Sequence, residues 1–270
     1  MQSKFKLSLL ITGLALLISS GILLAPKLYA QNMMDHVDLS SKAMTQSELT
    51  REQVIARLKM ASKDKPANFS SMALNGLDLS HLDFTNVNFR AANMNKTNLE
   101  GAILRGAILD QAWMLNANLK GADLTGANIF QAQMLKANFE NAVFDNARLA
   151  SNLTGANLKN ASLKHANLAA DMKNQSMGLI TGNLSSTNLE NVDFTGANLA
   201  RTILEFAQLK GTKLVNTNLE KAELDGATLD EVDVTGANFE GADFNSTKLI
   251  NLKGVGKSNL QEAKNVPPLQ

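Results

Sequence analysis

Ala117-Asn118-Leu119-Lys120-Gly121, Ala122-Asp123-Leu124-Thr125-Gly126 and Ala127-Asn128-Ile129 are one five-residue phrase written three times in succession. A small residue comes first, then Asn or Asp, then a large apolar residue, then two polar residues or glycines. A period of five fits neither the 3.6 of a helix nor the 2 of an ordinary strand. A short fixed period is the mark of a solenoid. Two apolar positions, two residues apart, make one short side of a four-sided coil. Four sides close a turn, so residues about twenty apart stack.

The phrase extends in both directions. With the large apolar residue taken as the centre, centres run from Phe69 through Leu74, Leu79 and Phe84 to Leu149. One residue is then missing, and the next centres are Leu153, Leu158, Leu163 and Leu168. Ala170 to Ser176 breaks the pattern and reads as a loop, with the coils on either side bent or bulged. The frame resumes at Leu179 or Leu184 and holds to Leu249. The residue two before the centre is Ala in most repeats.

This pattern resembles the pentapeptide-repeat family, whose consensus is Ala-(Asp/Asn)-Leu-x-x. The resemblance implies an all-β fold, a right-handed quadrilateral β-helix, with the centre and the preceding small residue pointing inward. Nine turns at a strand spacing of about 4.8 Å would make a rod of roughly 43 Å. Composition agrees: hydrophobic residues make up 44%, yet Trp and Tyr occur once each, as a narrow core of Leu and Ala requires. Met94, Met114 and Met134 share one column and read as adaptable core filler.

The segments flanking the repeats divide the chain into 1–30, 31–66, 67–250 and 251–270. In the first, Lys4 and Lys6 precede an uncharged run from Leu7 to Leu24, and Leu28-Tyr29-Ala30 offers a cleavage site. That is the anatomy of a secretory signal peptide. The run also approaches bilayer length, so an uncleaved membrane anchor through residues 7–24 is the alternative. Either reading exports the repeats, to the periplasm or beyond, or holds them outside the inner membrane. The chain has no cysteine, which excludes thiol chemistry. Gln31 to Met44 is polar and reads as a flexible linker. Thr50-Arg51-Glu52-Gln53 matches a capping box, and Val54, Ile55, Leu58 and Ala61 fall on one helical face. This short helix reads as a lid over the first coil, whose edge would otherwise be a template for aggregation; a partner-binding helix is the alternative. Asn251 to Gln270 loses the period, apart from Ser258-Asn259-Leu260, and is too short for the helical dimerisation module found in some family members.

Chemistry is sparse. His36, His81 and His165 lie far apart and form no ligand set. Gly256-Lys257-Ser258 lacks the upstream glycine of a phosphate loop, because Asn251 stands there. No nucleophile–base arrangement stands out, and no catalytic residue, cofactor or metal is expected. Loss of Lys4, Lys6 and Lys27 with the leader would leave 23 basic and 25 acidic side chains, a net −2. The acids gather late, from Glu220 to Asp243, and read as an acidic face at one end of the rod.

The exterior departs from polarity in one region. Ile103, Ile108 and Trp113 each precede a centre; Leu115, Phe130 and Leu135 each follow one. Twenty-residue stacking places Leu115 above Leu135, and the six are expected on two adjoining faces. Clustered exposed apolar groups mark interaction surfaces, and Trp is favoured at hot spots. The sequence therefore reads as a noncatalytic scaffold of the bacterial cell envelope that binds an unidentified protein partner through a face of the rod. Self-association into a homodimer is one alternative. Another comes from the family resemblance: some cytoplasmic members mimic DNA and act on gyrase. Mimicry needs dense negative charge, which the near-neutral N-terminal half lacks, so no nucleic-acid partner is expected.

Overall fold

A computed structural model describes residues 37–62, 64–172 and 180–270. The repeats form a four-sided coil. Residues one turn apart pair in parallel, as in Asn88 with Ile108 and Asn128, and Asn93 with Trp113 and Gln133. Most sides are single parallel bridges. Three lengthen into strands, β1 (Gln208–Lys210), β2 (Thr228–Asp230) and β3 (Lys248–Ile250), in the order β1-β2-β3. We number the sides in chain order: side one carries Trp113, side two Asn118, side three Asp123 and side four Asn128.

Each side works alike. The residue before the centre bonds to both neighbouring coils: the Ile103 amide donates to the Leu82 carbonyl at 3.0 Å, and its carbonyl accepts from Phe84 at 2.7 Å. At most corners the small residue donates back to the centre, as Ala107 does to Leu104 at 3.0 Å. The second corner residue has positive φ, for example 55° at Asn116 and 63° at Gly121. Glycine and asparagine tolerate that conformation best, which accounts for their frequency there. Inside, Leu, Phe, Met and Ala fill the bore; Met94, Met114 and Met134 are fully buried. Thr in the small position is buried too, and its hydroxyl donates to a carbonyl, as Thr97 does to Leu74 at 2.9 Å and Thr212 to Leu189 at 2.7 Å.

The missing residue after Leu149 shortens the corner between sides four and one. Ala150, Ser151 and Asn152 are consequently all buried. The Ser151 hydroxyl enters the corner of the coil before, accepting from the Ala132 amide at 3.0 Å and donating to the Ile129 carbonyl at 2.5 Å. Those two groups would otherwise close that corner directly. The second irregularity is an insertion at the same corner one coil later. Fifteen residues separate the centres Leu168 and Leu184, where a regular corner has four. Ala170 is still in register, donating to Ala200 at 3.2 Å, so the excursion starts after it. Asp171 donates to Ile180 at 2.9 Å, and Gly182 closes the corner onto Leu168 at 2.8 Å. The frame resumes at Leu184; Leu179 and residues 173–176 of the expected loop lie outside the described residues.

Both ends are covered. Helix α2 (Arg51–Met60) has its capping box: the Gln53 amide donates to the Thr50 hydroxyl at 3.4 Å, and the Thr50 amide to the Gln53 side chain at 2.8 Å. Val54 is fully buried in the end of the bore, with Leu58 and Ala61 packed beside it. The Arg51 guanidinium holds the carbonyls of Asp78 and Ser80 at the free edge of side two. The stretch read as a flexible linker is docked onto the rod where it reaches Ala43 and Met44. A one-turn helix, α1 (Lys42–Thr45), lies along side one. Its carbonyls accept from side-chain amides: Ala43 from Asn75 at 2.9 Å and Asn93 at 3.0 Å, and Met44 from Asn95 at 3.2 Å. Ser47 pairs antiparallel with Leu74. At the far end Leu260 is 5% exposed, Lys253 and Lys264 extend the ladder, and Gln270 returns to bond Leu249 and Asn251, each at 3.0 Å.

Candidate interaction surface

The outer surface follows from the residue before each centre. An Asn or Asp there accepts from the amide two residues on, as Asn88 does from Arg90 at 3.0 Å. That bond sets the corner. Asn can also donate its amide to the Asn one coil back. On side two this makes a ladder from Asp78 through Asn98, Asn118, Asn138 and Asn157 to Asn188, with steps of 3.0 to 3.2 Å. Asp lacks the donor, so Asp78 begins the ladder.

Charge is patterned as well. The corner after side two carries Glu100, Lys120, Glu140, Lys159, Glu190, Lys210 and Asp230 in successive coils. Lys120–Glu140 (3.2 Å), Lys159–Glu190 (2.8 Å) and Lys210–Asp230 (3.7 Å) are ion pairs. This ladder of alternating sign was missed in the sequence, although reading every twentieth residue would have exposed it. Burial pushes the Asp193 carboxyl up, but bonds from the Thr195 hydroxyl and amide, with Lys213 and Lys164 nearby, hold it below its ordinary value. Asp233 is also held low, by Thr235, Lys253 and Lys213.

The six apolar candidates divide. Trp113 is half-buried on side one between Asn93 and Gln133. Leu115 and Leu135 occupy the next corner of the same side in successive coils, and the Leu115 amide donates to Asn95 at 3.0 Å. Phe130 stands at the corner between sides four and one, with the Arg148 guanidinium 3.9 Å above its ring. Ile108 lies on side four. Ile103 does not join them: it pairs with Asp83 and Asp123 on side three, across the rod from Trp113, and is 37% exposed. The expected two adjoining faces therefore hold five of the six. The strip on side one begins one coil beyond the place where α1 is docked.

The late acids do not occupy one face. Glu223 and Asp243 are on side one, Glu220 and Glu240 at the corner before it, Asp225 at the corner after it, and Asp233 on side three. Phe206, 60% exposed, was not anticipated. Its position at the left-handed corner after Leu204 (φ 59°) and the glycine twenty residues later were the available signal. His81 and His165 hold similar corners above Gly101 and Gly196; His36 lies outside the described residues. Lys257 ends a 3-10 turn, Val255–Lys257, and not a phosphate loop. Among the described residues no three His, Asp or Glu side chains are gathered as metal ligands, and no helix is long and apolar enough to cross a membrane.

The geometry is that of a β-helical rod with a polar, laddered exterior. Pentapeptide-repeat models match residues 67–169 and 183–245 in overlapping stretches. The chain belongs to the pentapeptide-repeat family, and the fold is its right-handed quadrilateral β-helix. Similar solved structures include HetL, a pentapeptide repeat protein involved in heterocyst differentiation regulation from the cyanobacterium Nostoc sp. strain PCC 7120. It is 24% identical, with TM-score 0.47 over 80% of this chain and 94% of HetL. QnrB1, a plasmid-mediated fluoroquinolone resistance protein, is 17% identical, with TM-score 0.45 over 71% of this chain and 90% of its own. A pentapeptide repeat protein of the Arabidopsis thaliana thylakoid lumen is 21% identical, with TM-score 0.24 over 64% and 69%. No curated protein matches the sequence significantly.

Proposed function

We propose that the protein is a noncatalytic scaffold of the bacterial cell envelope, exported by its first thirty residues, that binds a partner protein through side one of the rod. Pentapeptide-repeat proteins are in general structural or interaction proteins. The observation that carries the reading is the strip of Trp113, Leu115 and Leu135, flanked by Phe130, three apolar side chains clustered on one side of a surface built largely of asparagine ladders and ion pairs. Half-buried aromatic and aliphatic groups on a rigid frame lose little conformational entropy on contact. Side one also takes up chain already, since α1 lies on its first two coils. DNA mimicry is disfavoured by charge that alternates along a corner instead of repeating one sign.

Two measurements test the proposal. Fractionation with N-terminal sequencing should find the protein outside the cytoplasm, either starting near Gln31 or retaining residues 7–24 in the membrane. Recovery from the cytoplasm with the leader intact would overturn the export reading. Analytical ultracentrifugation of wild type and Trp113→Ala separates partners: a monomer in both fits an outside partner, whereas a dimer lost on substitution would assign the strip to a second copy.

A further inference from the structure

The cover over the first coil leaves the edge of side three bare. Further along that side each rung is bonded to the coil before it: the Ile103 amide donates to Leu82, and the Ile103 carbonyl accepts from Phe84. Asp83 is the first rung of side three, and by the same spacing residues 62 and 64 would be its partners. The Ser62 carbonyl instead accepts from the Lys65 amide at 3.2 Å. Neither the Asp83 amide nor the Asp83 carbonyl makes a hydrogen bond to another described residue. Sides one and two are treated differently. Ser47 and Glu48 run along the edge of side one, with the Glu48 amide donating to Ala73 at 2.8 Å, and Arg51 takes the carbonyls at the edge of side two.

A groove runs beside this bare edge. It holds about 700 Å³ and is lined by Ile55, Leu58 and Ala61 of α2 and by Pro66, Leu82 and Val87 of the rod. In the coils the residues on either side of a rung point into the bore. Below the first coil the bore is closed by α2, so an added strand would turn those two side chains onto Ile55 and Leu58. The residue at its rung would face outward and stack on Asp83 at the strand spacing of about 4.8 Å. The Asp83 carboxylate accepts from the Thr85 amide and hydroxyl at 2.9 and 2.6 Å, both on one oxygen, and forms no ion pair with a described residue. In the same column Asp193 and Lys213, one coil apart, pair at 3.5 Å. Lys59 also lines the groove, but from the helix and not from the column. A rung added before Asp83 therefore favours a cation.

We infer that the edge at Asp83 receives an extended segment of a partner protein in which Lys or Arg stands between two apolar residues. The segment adds one rung to side three. Its backbone bonds the Asp83 amide and carbonyl. Its basic residue pairs with the Asp83 carboxylate, and the flanking residues fill the groove against Ile55 and Leu58. Unpaired strand edges invite such addition, and the chain already does this to itself at side one, where Ser47 bridges Leu74. The edge lies apart from the Trp113 strip and does not depend on it.

The test is nuclear magnetic resonance of the isotope-labelled full-length protein, titrated with the peptide acetyl-Thr-Val-Lys-Val-Thr-amide at millimolar concentration. The Asp83 and Phe84 amide signals should shift saturably, and the Asp83 amide should gain protection from hydrogen exchange. Replacing the peptide's Lys by Glu should weaken binding by about two- to fivefold, the size of an exposed ion pair. Asp83→Asn keeps an acceptor for Thr85 and should remove the preference for lysine. Ile55→Thr should weaken both peptides, and Trp113→Ala should change neither. A peptide with Thr in place of both Val residues, or with methylated backbone nitrogens, should shift neither signal. Absence of a saturable shift at Asp83, binding indifferent to backbone methylation, or equal affinity of wild type for the Lys and Glu peptides would each overturn the inference. So would a concentration-dependent dimer that protects Asp83 without peptide, which would assign the edge to a second copy.

Discussion

Ser151→Ala tests how a solenoid survives the loss of a residue. At most regular corners the small residue donates straight to the centre; at the Ile129 corner the Ser151 hydroxyl stands between Ala132 and Ile129. All three residues are buried. Removing the hydroxyl leaves one amide and one carbonyl without a partner, each costing about 1–3 kcal/mol. Some of that is recovered if the corner relaxes, so a loss of about 2–4 kcal/mol is expected. Direct closure, as between Ala107 and Leu104, would reduce the loss below about 1 kcal/mol. The assay is urea unfolding followed by circular dichroism, together with hydrogen exchange at the Ala132 amide, because a repeat array need not unfold in one step. Ser185→Ala, at a half-exposed corner, should stay within about 0.5 kcal/mol of wild type and serves as control. A Ser151→Ala protein with wild-type midpoint and unchanged Ala132 exchange would refute the role given to the hydroxyl.

Ala127 is 1% exposed between Ala107 and Ala147, so Ala127→Glu should overpack the bore and bury a charge, costing more than about 4 kcal/mol in urea unfolding. The outward Thr125→Glu loses only a surface hydroxyl bond to Asp123 and should cost no more than about 1.5 kcal/mol in the same assay. Arg51→Ala should raise hydrogen exchange in residues 51–60 while leaving coils beyond the third unchanged, since neighbours alone share stability in a solenoid. Stability should also fall in acid. Asp193 and Asp233 have folded values below their ordinary 3.8, so their contribution is present above that pH and is lost as pH falls through the lower folded values. Acid unfolding of Asp233→Asn, followed by circular dichroism, should accordingly be shallower than that of wild type.

The period was legible because every side uses the same inward pair, and the same count located the missing residue; the capping helix was legible from its capping box and helical spacing. What the count did not carry is instructive. Ile103 and Trp113 look like neighbours in the repeat frame, but residues ten apart have turned two corners and face opposite ways. Spacing of twenty, not resemblance of position, is what brings side chains together. The docking of α1 left no apolar pattern, because it rests on amides of Asn75, Asn93 and Asn95 that read as ordinary repeat residues. Ser151 looked like a gap in the frame, and its hydroxyl's part in the corner exists only in three dimensions. Phe206 was overlooked because corner positions accept almost any residue, and its exposure depends on the glycine in the following coil.

Site-specific photo-crosslinking in cells tests the interaction surface most directly. A photoreactive side chain at Leu115 or Leu135 on the strip, and at Thr125 on the corner after side three as control, probes opposite parts of one rod. A single discrete adduct with another protein from positions 115 and 135, absent from position 125 and lost on Trp113→Ala, is the predicted result. Adducts from all three positions alike, or from position 125 alone, would contradict the assignment of side one as the binding face.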